Sequence, residues 1–393
     1  MSDSPSWRTW VQRLLLLGFL GAGAWTAYLY AQIEPSLSPD DYAARIDRVL
    51  KTTPLIDGHN DLPYLIRLEL KNRIYDTSKF RFRDGRPPTK SGWEYLILTI
   101  LALSSHTDLK RLLEGRVGGQ FWSVFVECPD IQELDDPNHN VRDTLEQIDV
   151  ARRFIDQNPE LHYCETSSCV LPAFRSGKIA SMLGAEGMHQ TGSSIAVIRQ
   201  LFDLGVRYIT ITHNCDNPYA TAASTVTETG VDNGLTAFGV AAIHEMNRLG
   251  MLVDLAHTSH DAMRQILNIT ASPVIFSHST CYGLAANYRN APDDVIAGLK
   301  ENGGVLMVMF VRRFLNVTDP NVADIETVVD HIMHIVQLAG WDHVGIGGDF
   351  DGTMTLADGI ESVADYPKLL MAVMKRGATD EQVRKLVGEN ILR

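Results

Sequence analysis

Eight short apolar runs punctuate the chain, and most give way to polar residues at their C-terminal ends. They are "PLIDGHND" (54–61), "QFWSVFVEC" (120–128), "KIASMLGAEG" (178–187), "VRYITITHN" (206–214), "GMLVDLAHT" (250–258), "SPVIFSHST" (272–280), "GGVLMVMF" (303–310) and "HVGIGGDFDG" (343–352). Longer segments between them, such as "SIAVIRQLFDLG", "LTAFGVAAIHEMNRLG" and "VVDHIMHIVQLAG", repeat apolar residues at three- and four-residue spacing and close on glycine. That spacing predicts amphipathic helices ended by glycine. Near-continuous apolar strands separated by helices predict a parallel sheet covered on both faces. Eight such units favour a closed (β/α)8 TIM-type barrel over an open doubly wound sheet. The open sheet would want a glycine-rich loop after its first strand, and "GHNDLPY" is not one.

A ninth apolar stretch is of another kind. Residues 14–33, "LLLLGFLGAGAWTAYLYAQI", carry no charge, follow Arg8 and Arg13, and are long enough to cross a hydrocarbon core of roughly 30 Å. They read as a transmembrane signal-anchor. Residues 1–13 then form a short cytoplasmic tail, 34–45 a linker, and 46–393 a barrel held outside the cell or in a lumen. A signal peptide cleaved near "GAGA" (21–24) is the competing reading, and it delivers a secreted protein to the same side. Five cysteines therefore meet an oxidising compartment, and their spacing matches no zinc finger. Asn268 and Asn316 open glycosylation sequons.

Chemistry collects where the runs end. His59 and Asp61 are two residues apart, so a strand would point both the same way; alternatively, Asp61 merely turns the chain. Glu186, His213, His257, His278 and Asp349 end five further runs. The C-terminal strand ends of a barrel converge on one mouth, so residues over a hundred positions apart can share a pocket. Imidazoles and carboxylates without nearby thiols suit zinc, with manganese or iron as alternatives. Five or six such ligands exceed the need of one ion and suggest two. A carboxylate with an oxygen for each ion is the natural bridge, which singles out Glu186. Net charge bounds the partners: the chain carries −13 with no basic stripe, which argues against nucleic acid. With 45% hydrophobic and 21% charged residues it can bury a large core.

"DGHND", "GAEG", "THNCDNP", "DLAHTS", "FSHSTCYGLAANYRNAPDD" and "GGDFDG", in this order from about residue 50 to the end, resemble the motif set of the membrane (renal) dipeptidase family. The resemblance implies a zinc-dependent (β/α)8 enzyme that hydrolyses dipeptides with a metal-activated bridging water or hydroxide. It implies two zinc ions, one held by His59, Asp61 and Glu186, the other by Glu186, His257 and His278. His213 would stabilise the oxyanion, Arg289 would pair with the free carboxylate of the dipeptide, and Asp349 would move the proton and hold the substrate's amino group. The family's disulfide falls on Cys128 and Cys215. A bridge across "CETSSC" (Cys164 and Cys169) would leave Cys281 free. Where "GENILR" ends the chain, relatives usually continue. Another amide or lactam as substrate, a non-catalytic binding protein and a homodimer stay open as alternatives.

Other residues are tempting but lack convergent partners in the sequence. His331 and His334 of "HIMH" read as a solvated helix face. His260 reads as a cap or a solvent-facing residue, and His343 lies at the wrong end of the eighth strand. No convergent partner is read in the sequence for His106, His139, His162, His189 or His244. Asp254 reads as a structural hydrogen-bonding residue. Asp351 shares a face with Asp349, and only the resemblance chooses between them.

Overall fold

The computed structural model describes residues 38–75, 82–83, 105–128 and 139–393. The stretch 14–33 lies outside them. Among the described residues no helix is long and apolar enough to cross a membrane. The chain divides into two units, Met1–Arg45 and Ile46–Arg393, and the second carries the fold described below.

All eight apolar runs form strands: β1 (Leu55–Asn60), β2 (Val117–Val124), β4 (Ile179–Ala185), β5 (Val206–Thr210), β6 (Leu252–Asp254), β7 (Ile275–Ser279), β8 (Val305–Val308) and β9 (Val344–Ile346). Each pairs parallel with its neighbour, and β9 pairs with β1, which closes the sheet. β2 pairs directly with β4, from Gly119↔Ala180 to Val124↔Ala185. The short β3 (Leu161–Tyr163) lies beside the beginning of β4, below the point where β5 takes over at Leu183–Ala185. Three residues are too few to show a period, so β3 was not legible in advance. The result is an eight-stranded parallel barrel with β3 as an outer addition.

Local chemistry explains the helix ends. Thr236 and Ser259 accept the backbone N–H of Gly239 and Ala262 as N-caps, and Asp324 and Thr327 form a reciprocal capping box. Inside the barrel, Ile56, Phe121, Ala180, Met182, Tyr208 and Ile275 pack as one cluster below the mouth. Val383, Leu386 and Val387 of the C-terminal helical segment are buried, and Asn390 Nδ2 donates to the carbonyls of Trp341 and Val344.

Candidate metal and substrate site

Turn chemistry at the β1 end is done by Asn60, whose Oδ1 accepts the N–H of Leu62. Asp61 occupies the cap position of helix Leu62–Leu70 without capping it. Its Oδ2 lies 3.2 Å from His59 Nε2, while its buried Oδ1 has no hydrogen-bond partner among the described residues. A buried carboxylate oxygen without a donor is costly unless a cation completes it.

Glu186, one residue past β4, is the hub. Its Oε2 stands 3.6 Å from His59 Nε2, and its Oε1 stands 3.1 Å from His257 Nε2 and 3.3 Å from His278 Nε2. His213 Nε2 is 3.9 Å from Oε1. Ligand atoms of His59, Asp61 and Glu186 cluster together, as do those of Glu186, His213 and His257, and those of His59, His278 and Asp349. The strand ends supply these positions, helped by backbone turns at His257 (φ +62°) and Asp349 (φ +60°). Non-glycine residues adopt the left-handed region at a cost, and functional sites are where that cost recurs.

The outer ring nitrogens were not anticipated. Nδ1 of His59, His257 and His278 meets Tyr208 Oη at 3.0 Å, Asn214 Oδ1 at 3.1 Å and Ser277 Oγ at 2.9 Å. With Nδ1 donating outward on His257 and His278, their Nε2 atoms face inward free of a proton. His257 and His278 then present Nε2 to Nε2 at 3.1 Å. Two lone pairs at that distance repel unless a cation lies between them, so the donor set fits metal ions. Tyr208 gets its position from glycine: a Cβ on Gly184 would lie 2.0 Å from its ring. The signal for Tyr208 and Ser277 was only their place on strands, which gives no partner.

Charge is distributed unevenly even without a cation. Burial pushes Glu186 up, with partial relief from His59. Burial works against charge on His59, but Tyr208, Asp61 and Glu186 outweigh it and hold the imidazole well above its usual range. Burial, then the Arg289 charge, hold His257 well below that range; burial followed by the charges of His59 and Arg289 does the same for His278.

Arg289, in the loop after β7, is buried, and its Nη2 donates to the carbonyl of His278 at 2.9 Å. Its Nε and Nη1 are buried without acceptors among the described residues. Asp349 is half-buried and forms no hydrogen bond among the described residues, whereas Asp351 accepts the N–H of His106 at 2.5 Å. That difference separates the two aspartates physically. Cys128 and Cys215 form a disulfide joining the segments after β2 and β5, beside His213. Cys164 and Cys169 form a second, and Cys281 is free and buried. Closing the 87-residue separation contributes about 4–5 kcal/mol in the chain-entropy account.

Three expectations need correction. His331 does not face solvent: it is buried, its Nε2 donates to the Leu315 carbonyl, and its Nδ1 accepts the Cys281 N–H, because that helix face packs against the loops after β7 and β8. His334 is partly buried against Asp293 at 2.9 Å. His260 opens a helix but is buried under the segment after β7, donating to the Asn290 carbonyl. His106 and His189 have partners after all: His106 Nδ1 accepts the Asp351 N–H, and the buried His189 donates its Nε2–H to the Val126 carbonyl at 2.8 Å. Of the sequons, Asn268 is exposed at the end of helix His260–Ile269, and Asn316 is spent partly on an Asx turn with Thr318 and Asp319.

Residues 43–393 match the family model described as "Membrane dipeptidase (Peptidase family M19)". An uncharacterized dipeptidase of Schizosaccharomyces pombe is 46% identical over 356 residues, covering 89% of this chain and 81% of that protein. Dipeptidase verJ of Clonostachys rogersoniana is 41% identical over 362 residues, covering 90% and 86%. Among solved structures, the probable dipeptidase PvdM of Pseudomonas aeruginosa superposes with a TM-score of 0.73 at 18% identity, covering 91% and 98%. A metallo peptidase from Rhodobacter sphaeroides, liganded with a phosphinate mimic of the dipeptide L-Ala-D-Ala, gives 0.70 at 22%, covering 87% and 98%.

Proposed function

The chain belongs to the membrane dipeptidase family, peptidase family M19, and from that premise we propose that it hydrolyses dipeptides with two zinc ions held at the barrel mouth. It is a metallo-dipeptidase of that family. The observation that carries the two-ion reading is the convergence of three imidazoles on the two oxygens of Glu186. His59, Asp61 and Glu186 would hold one ion, and Glu186, His257 and His278 the other. Bound zinc polarises a carbonyl and lowers the pKa of water from about 15.7 to about 7, which supplies a nucleophile at neutral pH.

The protein's own residues do the rest. Arg289 has its Nε and Nη1 donors buried without acceptors among the described residues beside the cluster, which leaves a cation able to pair with the terminal carboxylate of a dipeptide. Burial first, then the charges of neighbouring groups, keep His213 well below its usual range, so it stays neutral with one ring N–H to donate to a carbonyl oxygen. Asp349, half-buried and without a hydrogen bond among the described residues, is the group able to take a proton and hand it to the leaving amine.

Dipeptide turnover before and after chelation, with zinc restoration and metal analysis, tests this reading. Activity that survives complete removal of metal would end it. Arg289→Met should raise KM, lower kcat/KM for free dipeptides roughly 10²-fold and leave zinc content intact. The selective loss is read against a C-terminally amidated substrate, which should barely respond to the substitution. We also infer that residues 14–33 tether the enzyme with its barrel outside the cytoplasm. Carbonate extraction should leave the full chain in the membrane pellet, and a glycosidase-sensitive band shift should report Asn268; complete release into the supernatant would contradict the tether.

A further inference from the structure

We propose that Asp254, acting through the Ser277 hydroxyl, decides which nitrogen of His278 carries the ring proton, and is thereby a positioning residue for the cation site; the metal part of this rests on the function proposed above. Asp254 ends β6 and is fully buried. Its register places it between Thr210 of β5 and Ile275 of β7. Oδ1 accepts the backbone N–H of Ala256 at 3.1 Å and of Ser277 at 2.8 Å. Oδ2 accepts the hydroxyls of Thr210 and Ser277, both at 2.6 Å. Four donors converge on one carboxylate.

The consequence passes along one hydroxyl. A serine O–H has a single proton, and Ser277 gives it to Asp254. Towards His278 Nδ1, 2.9 Å away, Ser277 Oγ therefore offers only a lone pair. The ring must answer with Nδ1–H, which leaves Nε2 bare. That bare nitrogen is the one 3.3 Å from Glu186 Oε1 and 3.1 Å from His257 Nε2. His59 and His257 have other arrangements. The Tyr208 hydroxyl also donates to the Gly58 carbonyl at 3.2 Å, and Asn214 presents Oδ1 to His257. Among these three rings, His278 alone is governed by a carboxylate one residue removed.

Asp254→Asn keeps the shape and reverses the polarity. An amide NH₂ in place of Oδ2 makes Ser277 Oγ an acceptor, frees its proton for His278 Nδ1, and moves the ring proton to Nε2, where it blocks a ligand. Zinc affinity, measured on the full chain against a competing chromogenic chelator, should fall 10–100-fold. Ser277→Ala cuts the connection, so Asp254→Asn in that background should cost no further affinity. Losses that simply add in the double variant, or unchanged zinc affinity in Asp254→Asn, would overturn the proposal. ¹⁵N NMR of the imidazoles in the metal-free protein reads the tautomer directly and needs neither zinc nor turnover. Natural protein should show His278 as the Nδ1–H form, and Asp254→Asn as the Nε2–H form. Should Asp254→Asn not fold, an Nε2–H signal from His278 in the natural protein refutes the idea by itself. Failure to bind zinc with the predicted tautomers intact would instead indict the function proposed above.

Discussion

Glu186→Gln should strip the site. On the two-ion reading proposed above, zinc content should fall from two per chain to below one, and dipeptide turnover at least ~10³-fold, the scale of losing a group that organises the nucleophile. The reason is geometric. Glu186 offers one oxygen to each half of the cluster, one 3.6 Å from His59 and the other within 3.3 Å of His257 and His278. An amide there removes a negative charge and can turn an N–H toward a ring nitrogen that should be bare. The fold should survive, because burial already disfavours this carboxylate without a cation. In chelator, the melting temperature of the variant should match or exceed that of the natural chain. Only the added stability from zinc, about 2.7 kcal/mol at a hundred times Kd for one site, should disappear. A variant that keeps two ions and near-normal turnover would refute the bridging role.

Asp349→Asn should separate chemistry from metal binding. Turnover is expected to drop roughly 10²–10⁴-fold with zinc content unchanged. In the cation-free site, burial pushes Asp349 up to about 7; the His59 charge lowers it and the carboxylates of Asp61 and Glu186 raise it. A base must be ionised to accept a proton, so turnover by the natural enzyme should fall as pH drops through this pKa. Bound cations favour the ionised form, so the acid limb should lie below 7. The kcat profile of Asp349→Asn should lose that limb. A limb that persists in Asp349→Asn and vanishes in Asp351→Asn would reverse the assignment, although Asp351 is already engaged with His106.

Much of the site was legible because strands and barrels obey simple rules. The apolar runs located all eight barrel strands, and a residue such as Glu186 or His278 at a run's end has one mouth to face. The roles of Arg289 and Asp349, and the pairing of Cys128 with Cys215, came from resemblance to a family; the structure bears out the disulfide. Less legible were contacts that depend on which neighbour packs where. His331 sits on an amphipathic helix, and nothing in its spacing announces that Leu315 and Cys281 will cover it. Asp61 followed Asn60 in a turn-forming pair, and only the hydrogen bond from Leu62 shows which one turns the chain.

Sequence by itself determined the alternation of strand and helix, the strand ends on which imidazoles and carboxylates fall, and hence the chemical class of the site. These follow from periodicity and residue type, which are local properties. Tertiary structure decided the rest: that Glu186 stands with one oxygen toward His59 and the other toward His257 and His278, that Asp351 is engaged while Asp349 is open, and that Tyr208, Asn214 and Ser277 hold the outer face of three rings. A hydrogen bond acts over about 3 Å and depends on angle. Partners that are tens of residues apart therefore become known only once closure of the barrel brings their strands side by side.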